Sequence, residues 1–143
     1  MQLALQTDYA LRTLIYLAHK SQRVTVAEIS NFYGISNAHV AKVVNQLARR
    51  GFLRSIRGIG GGIEIKQEPA GIRVGDVIQA MEGNTRLLEC VDTEGVCIIE
   101  QFCKLKRVLA HAETLQMDYL NNVSIADILP TVRQVTQIEE LEE

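Results

Sequence analysis

The sequence has no tryptophan and only two prolines, and it has no apolar run of the roughly 18 residues that a membrane-spanning helix requires. The absence of such a run predicts that no segment crosses a membrane. The N-terminus also lacks a basic stretch followed by an apolar stretch, which is the pattern of a secretory signal. We therefore expect a protein of the cytoplasm.

Cysteine is scarce and is confined to one region. The three cysteines are Cys90, Cys97 and Cys103, with six and then five residues between them. An odd number of cysteines in a chain without a secretory signal argues against a disulfide framework. No pair has the C-x2-C spacing of a zinc ribbon or finger. The pattern favours a metal centre or a redox-active thiol over three unrelated small apolar residues.

Apolar residues make up 47% of the 143-residue chain and charged residues 22%, which is enough apolar material for a folded core. The net charge of −2 is unevenly distributed. Residues 1–80 carry ten Lys and Arg and five Asp and Glu, a net charge of +5, whereas residues 81–143 carry five and twelve, a net charge of −7. A basic first part is expected if only that part meets a polyanion, with chance unevenness as the alternative.

Three helices are predicted in the basic part, because apolar residues recur there at helical spacing. The first is expected over residues 8–20, with Thr7 as its N-cap. Thr25 and Glu28 have the spacing of a capping box at the start of the second helix. Gly34 is expected to end that second helix.

Ser36 is the predicted N-cap of the third helix, which is expected to end at Gly51. Two helices joined by a tight turn that contains glycine are typical of a helix-turn-helix. Alternating apolar residues on both sides of the glycine-rich segment 58–62 then predict a β-hairpin. The expected fold is therefore mainly helical with one small hairpin, a winged helix-turn-helix domain over residues 1–82.

In such a fold the third helix enters the major groove of DNA, and the residues at its start reach the base edges. The base-contact candidates are Ser36, Asn37, His39 and Lys42. The candidates for phosphate contacts, which set position rather than specificity, are Arg49, Arg50 and Arg54. A polar helix face that is merely solvated would look the same in sequence.

The glycine-rich hairpin turn predicts a minor-groove contact. Arg57 is followed by Gly58, Gly60, Gly61 and Gly62, so that an arginine lies on a turn with little side-chain bulk. A narrow minor groove attracts arginine through its enhanced negative potential. A phosphate-binding nucleotide loop is a weak alternative, because such loops lead from a strand into a helix and end in a Lys-Ser/Thr pair that is missing here.

Residues 83–103 are predicted to form an irregular loop that carries the three cysteines, and a long amphipathic helix is expected over 104–121. Its apolar face needs a cover, and we expect a second copy of the chain rather than the chain's own first domain. Residues 104–130 would then form the dimerisation helix and a last turn. The acidic tail, 131–143, is expected to be mobile.

Three thiolates from one loop can converge on a metal centre, and they leave one ligand position open on a four-iron cluster or on tetrahedral zinc. Spacing alone does not identify the fourth ligand. The candidates are Asp8, Glu89, His111 or a small molecule.

Five segments of the sequence together resemble one known family. They are residues 7–12, 33–36, 57–62, 74–77 and the three-cysteine loop. The set is similar to the bacterial winged-helix iron–sulfur transcriptional regulators of the Rrf-two type, over roughly residues 1–130, and within the family to the nitric-oxide sensors. The resemblance implies a homodimeric repressor, not an enzyme. It further implies a cluster of the 4Fe-4S or 2Fe-2S type between the subunits, a pseudo-palindromic double-stranded DNA operator and nitric oxide as the signal.

The resemblance also implies roles for single residues. Asp8 matches an aspartate that can ligate the cluster from the other subunit, and Arg12 matches a position near the cluster. Lys106 stands where the cluster-assembly regulators have histidine, which disfavours that subtype. A sensor of iron or of cluster supply stays open as an alternative. A redox thiol or electron-transfer protein is a further alternative, but it assigns no function to the helix-turn-helix. DNA binding without a cofactor is the last alternative, and it assigns no function to the cysteines.

Overall fold

The computed structural model describes residues 2–141, and in that range it forms six α-helices and one two-stranded antiparallel hairpin. In chain order the elements are α1 (Leu5–Lys20), α2 (Val26–Tyr33), α3 (Asn37–Arg49), β1 (Leu53–Ile56), β2 (Gly62–Ile65), α4 (Val74–Glu82), α5 (Lys104–Asn121) and α6 (Val132–Leu141). Three helices followed by a hairpin confirm the predicted winged helix-turn-helix. Within the described residues no helix is both long and apolar enough to cross a membrane.

The ends of α2 and α3 follow from local sequence. The side chains of Thr25 and Glu28 form the expected capping box, and Gly34 ends α2 in the left-handed conformation at φ 64°. The Ser36 hydroxyl accepts a hydrogen bond from the backbone N–H of His39 at 3.3 Å, and it thereby caps α3. These caps fix the angle at which α3 leaves the turn.

The predicted start of α1 is wrong. The helix begins at Leu5 with Ala4 as its N-cap, and Thr7 lies inside it as a fully buried residue. The cap is supplied by Glu82 at the end of α4, whose Oε1 accepts from the Ala4 N–H at 2.7 Å and from the Thr7 hydroxyl at 2.5 Å. A distant carboxylate therefore performs the task that the local pattern assigns to Thr7.

The core of the first domain is built around α1, which packs against α3, α4 and β2. Its fully buried side chains include Leu14, Ile29, Leu47, Leu53 and Val77. Each such aliphatic side chain stabilises the fold by about 1.5–3 kcal/mol relative to exposure. Because one face of α3 is held in this core, its opposite face is directed to solvent.

The chain after the hairpin returns to the same core. Ile125, which follows α5, is fully buried, and its N–H donates to the Ile72 carbonyl at 2.9 Å. Ser124 and Asp127 close a short 3-10 turn at Ala126–Ile128, near the predicted last turn. The acidic tail begins with α6, and residues 142–143 lie outside the described residues, so the mobility of the tail stays a prediction.

Candidate DNA interface and cysteine loop

The start of α3 presents polar side chains to solvent. Asn37, His39 and Lys42 are exposed there, and the buried face of the helix consists of Val40, Val43, Val44 and Leu47. The hydroxyl oxygen of Ser36 serves as the cap acceptor, which leaves its O–H free to donate. The structure thus places the four predicted base-contact residues together on one surface.

The predicted phosphate-contact residues differ in whether they already have a partner in the structure. Arg49 and Arg50 are exposed at the C-terminal end of α3. Arg54 is exposed on β1, but its Nε already donates to Glu64 Oε1 of the opposite strand at 2.5 Å. This partner was not predicted, although Arg54 and Glu64 lie on strands that the alternating pattern predicts.

The wing tip is the turn that joins β1 to β2. Arg57 and Gly58 are exposed, and within residues 2–141 no side chain binds the Arg57 guanidinium. Ile59, to which no role was assigned from sequence, is fully exposed at the tip. Gly58 and Gly60 have φ of 93° and 74°, a conformation that favours glycine.

Gly61 and Gly62 lie where the backbone passes close to neighbouring backbone atoms. A Cβ at Gly61 would lie 2.7 Å from the Gly58 carbonyl oxygen, and a Cβ at Gly62 would lie 2.7 Å from the Val24 carbonyl oxygen. The backbone therefore passes too close to its neighbours at both positions for any side chain. Their predicted role in DNA binding stays a prediction.

The three cysteines are all free thiols in the segment before α5. Cys97 is exposed, whereas Cys90 and Cys103 are half-buried. Cys103 is the N-cap of α5, and its Sγ accepts from the Lys106 backbone N–H at 3.4 Å. Cys97 and Cys103 line one open cavity of about 740 Å³ together with Lys106.

Glu100 organises this loop. Its carboxylate accepts hydrogen bonds from the Gly95 N–H, at 2.6 Å, and from the Lys106 ammonium. The bond from Lys106 and then that from Gly95 lower the pKa of Glu100 below its usual value. The same pair raises the pKa of Lys106. Because the Lys106 backbone N–H also donates to Cys103 Sγ, Lys106 is adjacent to that thiol.

The predicted fourth ligand lies elsewhere in the chain. Asp8 is in the first turn of α1, where its Oδ1 accepts from Arg12 Nε at 2.9 Å. Glu89 and His111 are exposed. Within residues 2–141 of one chain, no three Cys, His, Asp or Glu side chains lie close enough together to hold a metal ion.

Arg12 connects α1 to the helix-turn-helix. The hydrogen bond to Asp8 raises the pKa of Arg12, and its guanidinium lies 5.8 Å from the centre of the Tyr33 ring. The Tyr33 hydroxyl donates to the Arg12 carbonyl oxygen at 3.1 Å, and burial raises the pKa of Tyr33 to about 12. The ring of Tyr9, which lies on α1 like Arg12, is 6.1 Å from the ring of His39 at the start of α3.

Comparison with known proteins agrees with this architecture. The chain is 36% identical over 132 residues to the HTH-type transcriptional regulator NsrR of Shouchella clausii, and the match covers 90% of this chain and 89% of that protein. Two solved structures share its fold. CymR, the global cysteine regulator of B. subtilis, has a TM-score of 0.74 and 22% identity over 90% of this chain and 95% of its own. IscR of T. potens has a TM-score of 0.72 and 21% identity over 100% and 92%.

The model of the Rrf2 family, described as an iron-dependent transcriptional regulator, matches residues 3–131. This match extends from the start of α1 past the cysteine loop and α5. The chain therefore belongs to the Rrf2 family of transcriptional regulators.

Proposed function

We propose that this protein is a homodimeric repressor whose affinity for its DNA operator is controlled by an Fe–S cluster that senses nitric oxide. The observation that carries the proposal is the joint presence, in a chain 36% identical to NsrR, of an exposed polar surface at the start of α3 and three free thiols in one loop. Neither feature alone would favour a sensor.

The DNA contacts divide into three groups. Ser36, Asn37, His39 and Lys42 read base edges in the major groove. Arg49, Arg50 and Arg54 contact phosphates and set the register. Arg57 enters the minor groove at the turn formed by Gly58, Gly60, Gly61 and Gly62, because its guanidinium is exposed and unpaired among the described residues.

The dimer forms through α5. Its apolar side chains Leu105, Val108, Leu115 and Tyr119 are between 57% and 71% exposed and recur at helical spacing. A monomer would leave this stripe in water, and a second copy of α5 covers it. Two-fold symmetry then presents two α3 helices to a pseudo-palindromic operator.

The donor set suits an Fe–S cluster, because cysteine thiolates are the usual protein ligands of such clusters. Cys90, Cys97 and Cys103 would hold it, with Asp8 of the partner subunit as the fourth ligand. Two of the thiols, Cys97 and Cys103, line one cavity, which supports the proposal. Within residues 2–141 of one chain no three candidate ligands lie close enough together to hold a metal ion, so the loop must close around the cluster when it binds. When bound, the cluster supplies iron atoms to which nitric oxide can bind.

The signal reaches DNA through α1. In the single chain Asp8 is held by Arg12, and Arg12 is held by Tyr33 at the end of α2. Tyr9, next to Asp8, faces His39 on the reading helix. A change in the partner of Asp8 therefore alters contacts at both helices of the helix-turn-helix, and in a dimer it changes the spacing of the two reading surfaces.

A sensor of iron or of cluster supply is the second candidate. The family description as iron-dependent regulators favours it, because loss of iron would itself be the signal. Both candidates need the same ligands and differ only in the event that removes the cluster.

The iron and sulfide content of anaerobically purified protein tests the cluster directly. We expect the wild-type protein to be coloured and Cys97→Ser to be colourless, because thiolates ligate the iron. Gln101→Ser, an exposed substitution in the same loop, is the matched control and is expected to keep the cluster. Equal iron in the wild-type protein and in Cys97→Ser would contradict the proposal.

A further inference from the structure

We propose that Arg23 and Glu64 are positioning residues of the wing, which hold the glycine-rich turn in the orientation that Arg57 needs to enter the minor groove. The inference rests on the proposed DNA contact of the wing. It assigns a task to two residues that lie outside the turn and that sequence patterns did not single out.

Arg23 lies between α1 and α2 and reaches along the hairpin. Its Nη1 donates to the Gly60 carbonyl oxygen in the turn at 2.7 Å. Its Nη2 and Nε donate to Glu64 Oε2 on β2 at 3.2 and 3.3 Å. One planar guanidinium therefore ties the tip of the wing to its second strand, and this fork geometry is specific to arginine.

Glu64 orients that guanidinium. The carboxylate stands between Arg23 and Arg54, and its side chain is only 21% exposed. The hydrogen bond from Arg54 and then that from Arg23 hold the pKa of Glu64 below its usual value. The carboxylate thus stays charged, and each arginine keeps a fixed partner on the hairpin.

The backbone beside Arg23 is part of the same arrangement. Val24 and Ile63 exchange backbone hydrogen bonds of 3.0 and 2.7 Å, so the segment that carries Arg23 runs beside β2. A Cβ at Gly62 would lie 2.9 Å from Cγ of Arg23. The arginine stem therefore packs over a position that only glycine can occupy.

The turn needs such support. Gly58 and Gly60 are free to adopt many conformations, and within the turn itself one backbone hydrogen bond, from Gly61 to Gly58 at 2.9 Å, restrains them. Ordering a glycine backbone has a high entropic cost. The contact from Arg23 to Gly60 restrains the turn before DNA binds, which lowers that cost at the binding step.

Electrostatics alone and a positioning role predict opposite effects on DNA binding when the charge of Glu64 is removed. Removing a carboxylate from a surface that faces a polyanion should strengthen binding to DNA. A positioning role predicts that Glu64→Gln weakens operator binding and releases the wing. Glu68→Gln is the matched control, because Glu64 and Glu68 line one surface cavity and the Glu68 side chain has no hydrogen bond or ion pair within residues 2–141.

The experiment uses the full-length protein and an operator duplex selected from a random pool. Hydroxyl-radical footprinting reports minor-groove protection under the wing, and fluorescence anisotropy reports affinity at several salt concentrations. We expect Glu64→Gln and Arg23→Gln to lose that protection and to bind about two- to fivefold more weakly, the scale of an exposed ion pair. Glu68→Gln is expected to keep the protection and bind as tightly as wild type or tighter.

Two results would overturn the inference. The first is full protection and unchanged or tighter binding in Glu64→Gln. The second is an effect confined to Arg23→Gln with a salt slope reduced by about 1 for each subunit, which would make Arg23 a direct phosphate contact. Arg57→Ala separates this inference from the proposed function. If it leaves the wild-type footprint intact, the proposed wing contact fails and the positioning role fails with it, whereas the proposed repressor function stands; if it removes the protection that both other variants keep, only the positioning role fails.

Discussion

Gly75 is a residue at which α4 lies close to the end of α5. A Cβ there would lie 3.0 Å from the Asn121 backbone nitrogen and would overlap the side-chain amide of that residue. We expect Gly75→Ala to lower the free energy of unfolding by about 1–3 kcal/mol, because the Asn121 side chain must turn away and its backbone must shift slightly. Urea denaturation measures this. At Gly71 a Cβ would meet nothing within 4 Å, so Gly71→Ala is the control and should be nearly neutral.

The capping box of α2 predicts a pH dependence. The Thr25 backbone N–H donates to the Glu28 carboxylate, and the Glu28 backbone N–H donates to the Thr25 hydroxyl oxygen. The bond from the Thr25 backbone is the main cause of the lowered pKa of Glu28. A carboxyl with a lower pKa in the folded state contributes stability above its unfolded pKa of about 4.5 and loses it as the pH falls through the folded value. We expect Glu28→Gln to be less stable than wild type at pH 7.

Thermal unfolding of the two proteins between pH 7 and pH 3 measures the difference. The gap in stability should shrink below about pH 4.5, where the wild-type carboxyl becomes protonated. A gap that stays constant across the whole range would show that the charge of Glu28 does not contribute.

Single residues also mark the limits of sequence reasoning. Ser36 and Gly34 were predicted correctly because their partners lie within a few positions. Thr7 was assigned the wrong task because the carboxylate that caps α1 lies 75 positions away. Arg23 and Glu64, which are 41 positions apart, were missed for the same reason.

At the scale of elements, α5 gives a testable prediction about dimerisation. Leu115 lies in the middle of its apolar stripe and is 57% exposed. We expect Leu115→Glu to weaken dimerisation by about 100-fold or more, because a carboxylate would be buried in an apolar interface. Sedimentation velocity measures the monomer–dimer equilibrium.

Thr114→Glu is the matched control on the same helix. Thr114 is exposed, and it lies about 100° around the helix from Leu115, away from the stripe. This variant should dimerise like the wild-type protein. If Leu115→Glu also remained dimeric, the interface would not be the exposed face of α5.

The elements themselves were largely predictable. Apolar periodicity located α1, α2, α3 and α5, and the glycine-rich turn between alternating segments located the hairpin. The bounds of α5, Lys104–Asn121, agree with the prediction because its apolar repeat is regular. Helix α6 was not predicted, since the acidic tail has the composition of a mobile segment.

At the scale of the whole molecule, the two halves differ in charge and in task. The first 80 residues carry the net charge of +5 and hold the surface proposed to meet DNA, whereas the rest carries −7 and holds the cysteine loop and α5. The sequence predicted both halves. Asp8 and the three thiols do not form a complete metal site within the described residues of one chain, so the role of Asp8 as a ligand from the partner subunit stays a prediction.

The central claim is that nitric oxide releases this protein from DNA through a cluster. The direct test is an anaerobic titration of the cluster-loaded protein with nitric oxide, while anisotropy follows its binding to a selected operator duplex. We predict that affinity falls by at least about tenfold, at least 1.4 kcal/mol, within a few equivalents of nitric oxide per cluster. Unchanged operator binding when the visible absorption of the cluster has been lost would contradict the account.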